Sequence, residues 1–189
     1  MAFFLTTWLR KHRLKKYASS RPTGFMPLGK IRTVLVIADG TEPECLKDTA
    51  RLEDFFSGFG IVSSFIYTDL RKIGRDTIVY ACGDNVITRR DTDWTGMPDL
   101  RRKGHLFSGD YDLLISLKDS TGFTEKFLAV TANAGFKIGT CAFHGHPFDL
   151  VIADRQEPDG QCTGPDGIEK TCSTSERIDA ICNFLKKIV

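Results

Sequence analysis

Acidic residues are missing from the first 38 positions, where eight Lys or Arg occur before Asp39. Of 26 basic and 24 acidic residues in the chain, the remainder therefore holds 18 against 24. The formal net charge of +2 conceals a basic N-terminal segment ahead of a mildly acidic body. Also lacking is any apolar run near the roughly 20 residues that a membrane-spanning helix needs. The short apolar stretch around Phe3, Phe4, Leu5, Trp8 and Leu9 precedes its basic cluster "RKHRLKKY", the reverse of the order in a secretory signal. A cytoplasmic chain without a transmembrane span is expected. The spacing Gly-x-x-x-x-Gly-Lys-Ser/Thr is absent, which excludes a P-loop NTPase, and no paired Cys motif of the zinc-finger kind occurs.

At 189 residues, 41% hydrophobic and 26% charged, the chain is large enough for one core without disulfide staples. The six cysteines are accordingly read as free thiols in a reducing compartment, although Cys162 and Cys172 flank one loop and could pair. Residues 1–29 read as a basic N-terminal helix or arm, and residues 30–189 as a single α/β domain. On a helix, Phe4, Leu5, Trp8 and Leu9 share a face that Lys15 and Lys16 continue. Such a segment either docks on the body or meets anionic lipid, which would place the protein at the inner face of a membrane.

The body alternates between two periods. "RTVLVIA" (32–38) is a continuous apolar run suited to a strand buried on both faces. Thr41 and Glu44 form a capping-box pattern for a helix that buries Leu46, Ala50 and Phe55 and stops near Gly58 or Gly60. Strands follow at 61–68 and 77–82, then an irregular stretch (83–110) with room for a short helix or a functional loop. A βαβ unit comes next, with a strand at 112–117, a helix at 123–134 stopped by Gly135, and a strand at 136–141. A strand at 148–153 and a final helix with a Ser173/Glu176 capping box complete the chain. The sum is a three-layer, mostly parallel Rossmann-like sheet of about six strands with helices on both faces.

Ligands of such sheets sit beyond the carboxyl ends of the strands, where strand order reverses. The turn "ADGTEPE" places Asp39, Glu42 and Glu44 at a helix entrance, which disfavours pyrophosphate and leaves Asp39 as a candidate base or hydroxyl ligand. The turn "LKDSTG" makes Lys118, Asp119, Ser120 and Thr121 the candidate ligand-binding set, with Ser120 or Thr121 available as a helix cap. In "GTCAFHGHP", no metal site is expected, the reading being a buried thiol beside two surface histidines; Cys141, His144 and His146 are the candidates for one, and Cys141 for a nucleophile. No cofactor is expected. The basic clusters read as solvated charge, so nucleic acid is not an expected partner.

Two resemblances can be named on these motifs. "KIRTVLVIAD", "DTDWTG", "YDLLISL", "VTANAGFKIG" and "FDLVI", spread over 30–153, resemble an uncharacterised family of small Bacteroidota proteins, a domain of unknown function. The stretch "YDLLISLKDSTGFTEKFLAVTANAGFKIG" is distantly similar to the N-terminal Rossmann-like half of the heptosyltransferases. That likeness implies half of a fold, because the nucleotide-sugar in that family is held mainly by a second domain. The expectation is a non-catalytic domain that binds a small ligand or a protein partner; the rival is a glycosyltransferase-like enzyme acting on a sugar or nucleotide-sugar.

Overall fold

The computed structural model describes residues 2–74, 76–118, 122–140, 147–152 and 173–188. Among the described residues, six strands form one fully parallel sheet. They are β1 (Thr33–Asp39), β2 (Val62–Asp69), β3 (Val86–Thr88), β4 (Asp110–Ser116), β5 (Asn133–Gly139) and β6 (Leu150–Val151), in the order β3-β2-β1-β4-β5-β6. The apolar runs of β1 and β4 occupy the centre, where both faces are covered. Successive side chains of β1 alternate between two cores: Val34 and Val36 point to one, Leu35 and Ile37 to the other.

Helices α2 (Cys45–Gly58) and α5 (Thr174–Lys187) close the first core with Leu52, Phe56, Ile178, Ile181 and Leu185. The second core is closed by α4 (Phe123–Thr131) through Phe127 and Leu128, joined by Leu14 and Tyr17 of α1 (Ala2–Tyr17). A single helical turn, α3 (Leu100–Lys103), lies before β4. The expected three layers are present. The Ser173/Glu176 capping box is formed on both arms, so this local sequence pattern sets the start of α5.

Several local expectations are corrected. The run at 77–82 is no strand; β3 is instead Val86–Thr88, which pairs with the end of β2. Cys82, expected at a strand end, is exposed. Helix α2 begins after Glu44 without a side-chain cap, because the Thr41 hydroxyl donates to Asp39 rather than capping the helix. Its buried face is Cys45, Thr49, Leu52 and Phe56, leaving Leu46 and Ala50 exposed. Gly135 does not stop a helix: α4 ends at Thr131 and Gly135 lies inside β5 with no positive φ. A side chain at Gly135 would crowd Arg21 and Met26, which cross this strand. The strand expected at 136–141 therefore starts three residues earlier.

The segment after α1 is tied across β4 and β5. Arg21 donates to the Tyr111 carbonyl at 2.9 Å, and the Gly24 N–H donates to the Gly135 carbonyl at 2.9 Å. Leu28 and Ile31 are buried in the first core.

Candidate functional site

Strand order reverses between β1 and β4, and the residues that leave those two strands meet. The Lys118 ammonium, on a side chain only 8% exposed, lies 2.5 Å from an Asp39 carboxylate oxygen and 3.9 Å from Oε1 of Glu125. Glu125 stands in the first turn of α4 and is 4% exposed. Its Oε2 is buried and accepts no hydrogen bond, which leaves a desolvated acceptor unsatisfied.

The carboxylate fits here because Gly122, the N-cap of α4, has no side chain. A Cβ at Gly122 would overlap Glu125 Oε2. Asp39 is further held by Thr41, whose backbone N–H and hydroxyl both donate to Oδ1, at 2.9 and 2.6 Å. Burial raises the Asp39 pKa, but hydrogen bonds from Lys118 and Thr41 outweigh it and hold the carboxyl below its ordinary value. The group is therefore ionised at neutral pH, with its oxygens already engaged. Taken together, the trio sets two carboxyl groups against one amine.

The neighbouring strands end in a different chemistry. At the end of β2, Asp69 is fully buried and held by Arg71, whose Nε and Nη2 donate to its two oxygens at 2.9 and 2.7 Å. These bonds from Arg71 keep the Asp69 carboxyl below its usual range against the opposing effect of burial. At the end of β3, the Thr88 N–H and hydroxyl donate to Asp91. Beyond it, "DTDWTG" forms a tight turn in which Asp93 Oδ1 accepts from the N–H groups of Thr95 and Met97 and from the Thr95 hydroxyl. Gly96 takes φ +87°, a left-handed conformation natural to glycine, and its carbonyl accepts from Thr124 at 2.7 Å.

Arg10 and Arg13 of α1 reach the same turn. Arg10 Nε donates to the Thr95 carbonyl at 2.8 Å, and Arg13 pairs with Asp93 and the Thr95 hydroxyl. The turn thus joins α1 to the start of α4.

Of the sequence candidates, the structure brings Lys118 and Asp39 together. Asp119, Ser120, Thr121, Cys141, His144, His146, Cys162 and Cys172 lie outside the described residues. Glu42 and Glu44 diverge from Asp39: Glu42 accepts from Thr174, and Glu44 pairs with Lys47. Among the described residues, no three carboxylate, histidine or cysteine side chains converge on a metal-sized point. Sequence reading missed Glu125. Its position in the first helical turn after "LKDSTG" was visible, but not that a glycine would let it fold back onto the preceding lysine.

These strand ends and turns fall within 3–161, the span matched by a family of unknown function, DUF6913. The chain belongs to that family. The DUF6913 match includes β1, "DTDWTG", Lys118 and Glu125, and so contains the Asp39–Lys118–Glu125 trio and the turn bonded by Arg10 and Arg13. No curated protein and no solved structure matches the chain.

Proposed function

We propose that this DUF6913 chain is a non-catalytic α/β domain that binds a small ligand rich in hydroxyl or amine donors at the carboxyl edge between β1 and β4. The observation that carries this reading is the buried, unpartnered Oε2 of Glu125 beside the Asp39–Lys118 pair. An acceptor in that condition gains a partner when a ligand donates to it, and the surplus of carboxyl oxygens over the single ammonium favours donors over anions. Asp39 is poorly suited to be a general base. A useful base has a pKa near the working pH, whereas Asp39 is held below the ordinary carboxylate range.

The test is a thermal-shift and calorimetric screen of the full chain against sugars, amino sugars, polyamines and nucleotide-sugars, repeated on Glu125→Gln and Asp39→Asn. A hydroxyl- or amine-bearing ligand should raise the melting temperature of the wild type and lose that effect in Glu125→Gln. Asp39→Asn should lower stability by on the order of 3 kcal/mol, because it leaves the Lys118 ammonium buried with a weaker partner. Turnover of a nucleotide-sugar that Asp39→Asn abolishes would replace this reading with a transferase. Destabilised variants with no ligand effect in any protein would reduce the trio to a structural ion pair.

A second reading concerns α1. Its inward face is Arg10, Arg13, Leu14 and Tyr17, so the opposite face carries Phe4 (81% exposed), Leu5 and Trp8 (61% exposed), followed by Lys11, Lys15 and Lys16. An apolar tip with a basic continuation suits peripheral contact with an anionic lipid surface. No helix among the described residues is long and apolar enough to cross a membrane. Flotation with vesicles containing phosphatidylglycerol should therefore carry the wild type and leave behind a Trp8→Ala/Lys15→Ala/Lys16→Ala variant; equal flotation of both would remove this reading.

A further inference from the structure

A separate cavity opens at the edge of the sheet, beyond the ends of β2 and β3. The parallel register runs Tyr67↔Val86, Thr68↔Ile87, Asp69↔Thr88, so the two strands stop side by side. The residues that follow, Arg71–Lys72 on one chain segment and Arg89–Arg90 on the other, are delivered to the same place. They line a cavity of about 380 Å³ together with Ile73 and Thr88, within the size range of small-molecule sites.

Two adjoining cavities continue it. One, of about 350 Å³, shares Arg89 and adds Arg10 and Trp94; the other, of about 400 Å³, shares Arg90 and adds Arg13. Among the described residues, the linings of the three hold Arg10, Arg13, Arg71, Lys72, Arg89 and Arg90 against Asp93 and Asp99.

The nearby carboxylates neutralise only part of this surplus. Asp69 is engaged by Arg71, Asp93 by Arg13, and Asp91 by Thr88 with Arg102 at 3.4 Å. Among the described residues, Lys72, Arg89 and Arg90 have no acidic partner, and all three are exposed. Three unpaired cations held near one another repel, and the repulsion is relieved by a bound polyanion. Arginine forks suit phosphate oxygens in particular. Within the cavity that Arg89 shares, the indole of Trp94 is 67% exposed and offers a flat apolar face for a ring.

We infer that this surface is a binding site for a nucleoside polyphosphate, with the phosphates on Lys72, Arg89 and Arg90 and the base against Trp94. The site is distinct from the Asp39–Lys118–Glu125 trio, and neither depends on the other. A mononucleotide fits better than a nucleic-acid strand, because the cations line small concavities and the body of the chain is net acidic.

The test is isothermal titration of the full chain at 0.15 M salt with pyrophosphate, ATP, adenosine and a single-stranded oligonucleotide series. The variants are Arg89→Ala/Arg90→Ala, Trp94→Ala and, as a control that removes equal charge elsewhere, Lys15→Ala/Lys16→Ala. ATP should bind saturably. The double arginine variant should weaken both ATP and pyrophosphate by about tenfold or more, the loss expected for charged hydrogen bonds. Trp94→Ala should weaken ATP and spare pyrophosphate, and the lysine control should change neither. Circular dichroism confirms folding of each variant, all of whose changes are at exposed positions. The inference is overturned by the absence of saturable ATP binding, by equal losses in the arginine and lysine doubles, or by affinity that grows with oligonucleotide length beyond that for ATP.

Discussion

Single side chains in this protein carry charge into places that usually exclude it. Lys137, on β5, is buried with its ammonium donating to the Ala129 carbonyl at 2.8 Å, near the end of α4. Burial depresses its pKa to about 8, only partly opposed by Asp149. The unfolded chain, with an ordinary lysine near 10.5, thus binds more protons than the native state between those values. The Lys137 contribution to stability is fully present above 10.5 and is lost as pH falls through 8. Burial of Tyr67, Tyr111 and Cys182 raises their pKa values and acts in the opposite sense at alkaline pH, so the difference between wild type and Lys137→Met is the quantity to measure. Denaturant titrations from pH 7 to 11 should show the wild type gaining on the order of 3 kcal/mol relative to Lys137→Met. A constant difference across that range would contradict the burial of this charge. At Gly122, replacement by Ala should cost about 1–3 kcal/mol through overlap with Glu125. Adding Glu125→Ala should recover part of that loss in a double-mutant cycle, whereas strict additivity would mean the two groups do not meet.

Among the elements, the "DTDWTG" turn has the widest reach, since α1 and α4 both bond to it while β3 leads into it. Asp93→Ala removes the acceptor of two backbone N–H groups, the Thr95 hydroxyl and Arg13. It should therefore destabilise the protein by about 1–3 kcal/mol and, more tellingly, speed hydrogen exchange throughout α1 while leaving β1 and β4 protected. Uniform acceleration in all elements would show that α1 is not separately released. The same turn marks the limit of sequence reading. Its composition announced a turn, but its partners are about 80 residues away in sequence at Arg10 and Arg13. Where a pattern is local it was legible: β1, β2 and β4 follow their apolar runs, and α5 follows its capping box. Where tertiary contacts decide, it was not. Thr41 bonds Asp39 rather than capping α2, the run at 77–82 has no partner strand, and Gly135 answers to Arg21 instead of to helix termination. Asp39 and Lys118 were legible as candidates because strand ends at a reversal of order collect ligands. Glu125 and the Arg89–Arg90 surface were not, since one requires the space above Gly122 and the other the register of β2 with β3.

For the whole molecule, the carboxyl edge of the sheet is a row of anchored acids. Asp39, Asp69, Asp91 and Asp93 all have pKa values below the ordinary 3.8, because hydrogen bonds from Lys118, Thr41, Arg71, Thr88, Thr95 and Arg13 overcome burial. Their contribution is present above 3.8 and is lost as pH falls through the folded-state values, so acid should unfold the protein with net proton uptake. Equilibrium unfolding between pH 5 and 2 should give a shallower slope for Asp69→Asn/Asp91→Asn than for the wild type; parallel curves would place the acid sensitivity elsewhere. The sheet also narrows outward: its inner strands run seven or eight residues, whereas β3 has three and β6 has two. Free backbone donors and acceptors along a rim are what a second polypeptide must copy to extend a sheet. Rims this short offer little template, so the same taper that leaves room for turns and cavities at the margin also guards the protein against fibrous self-association.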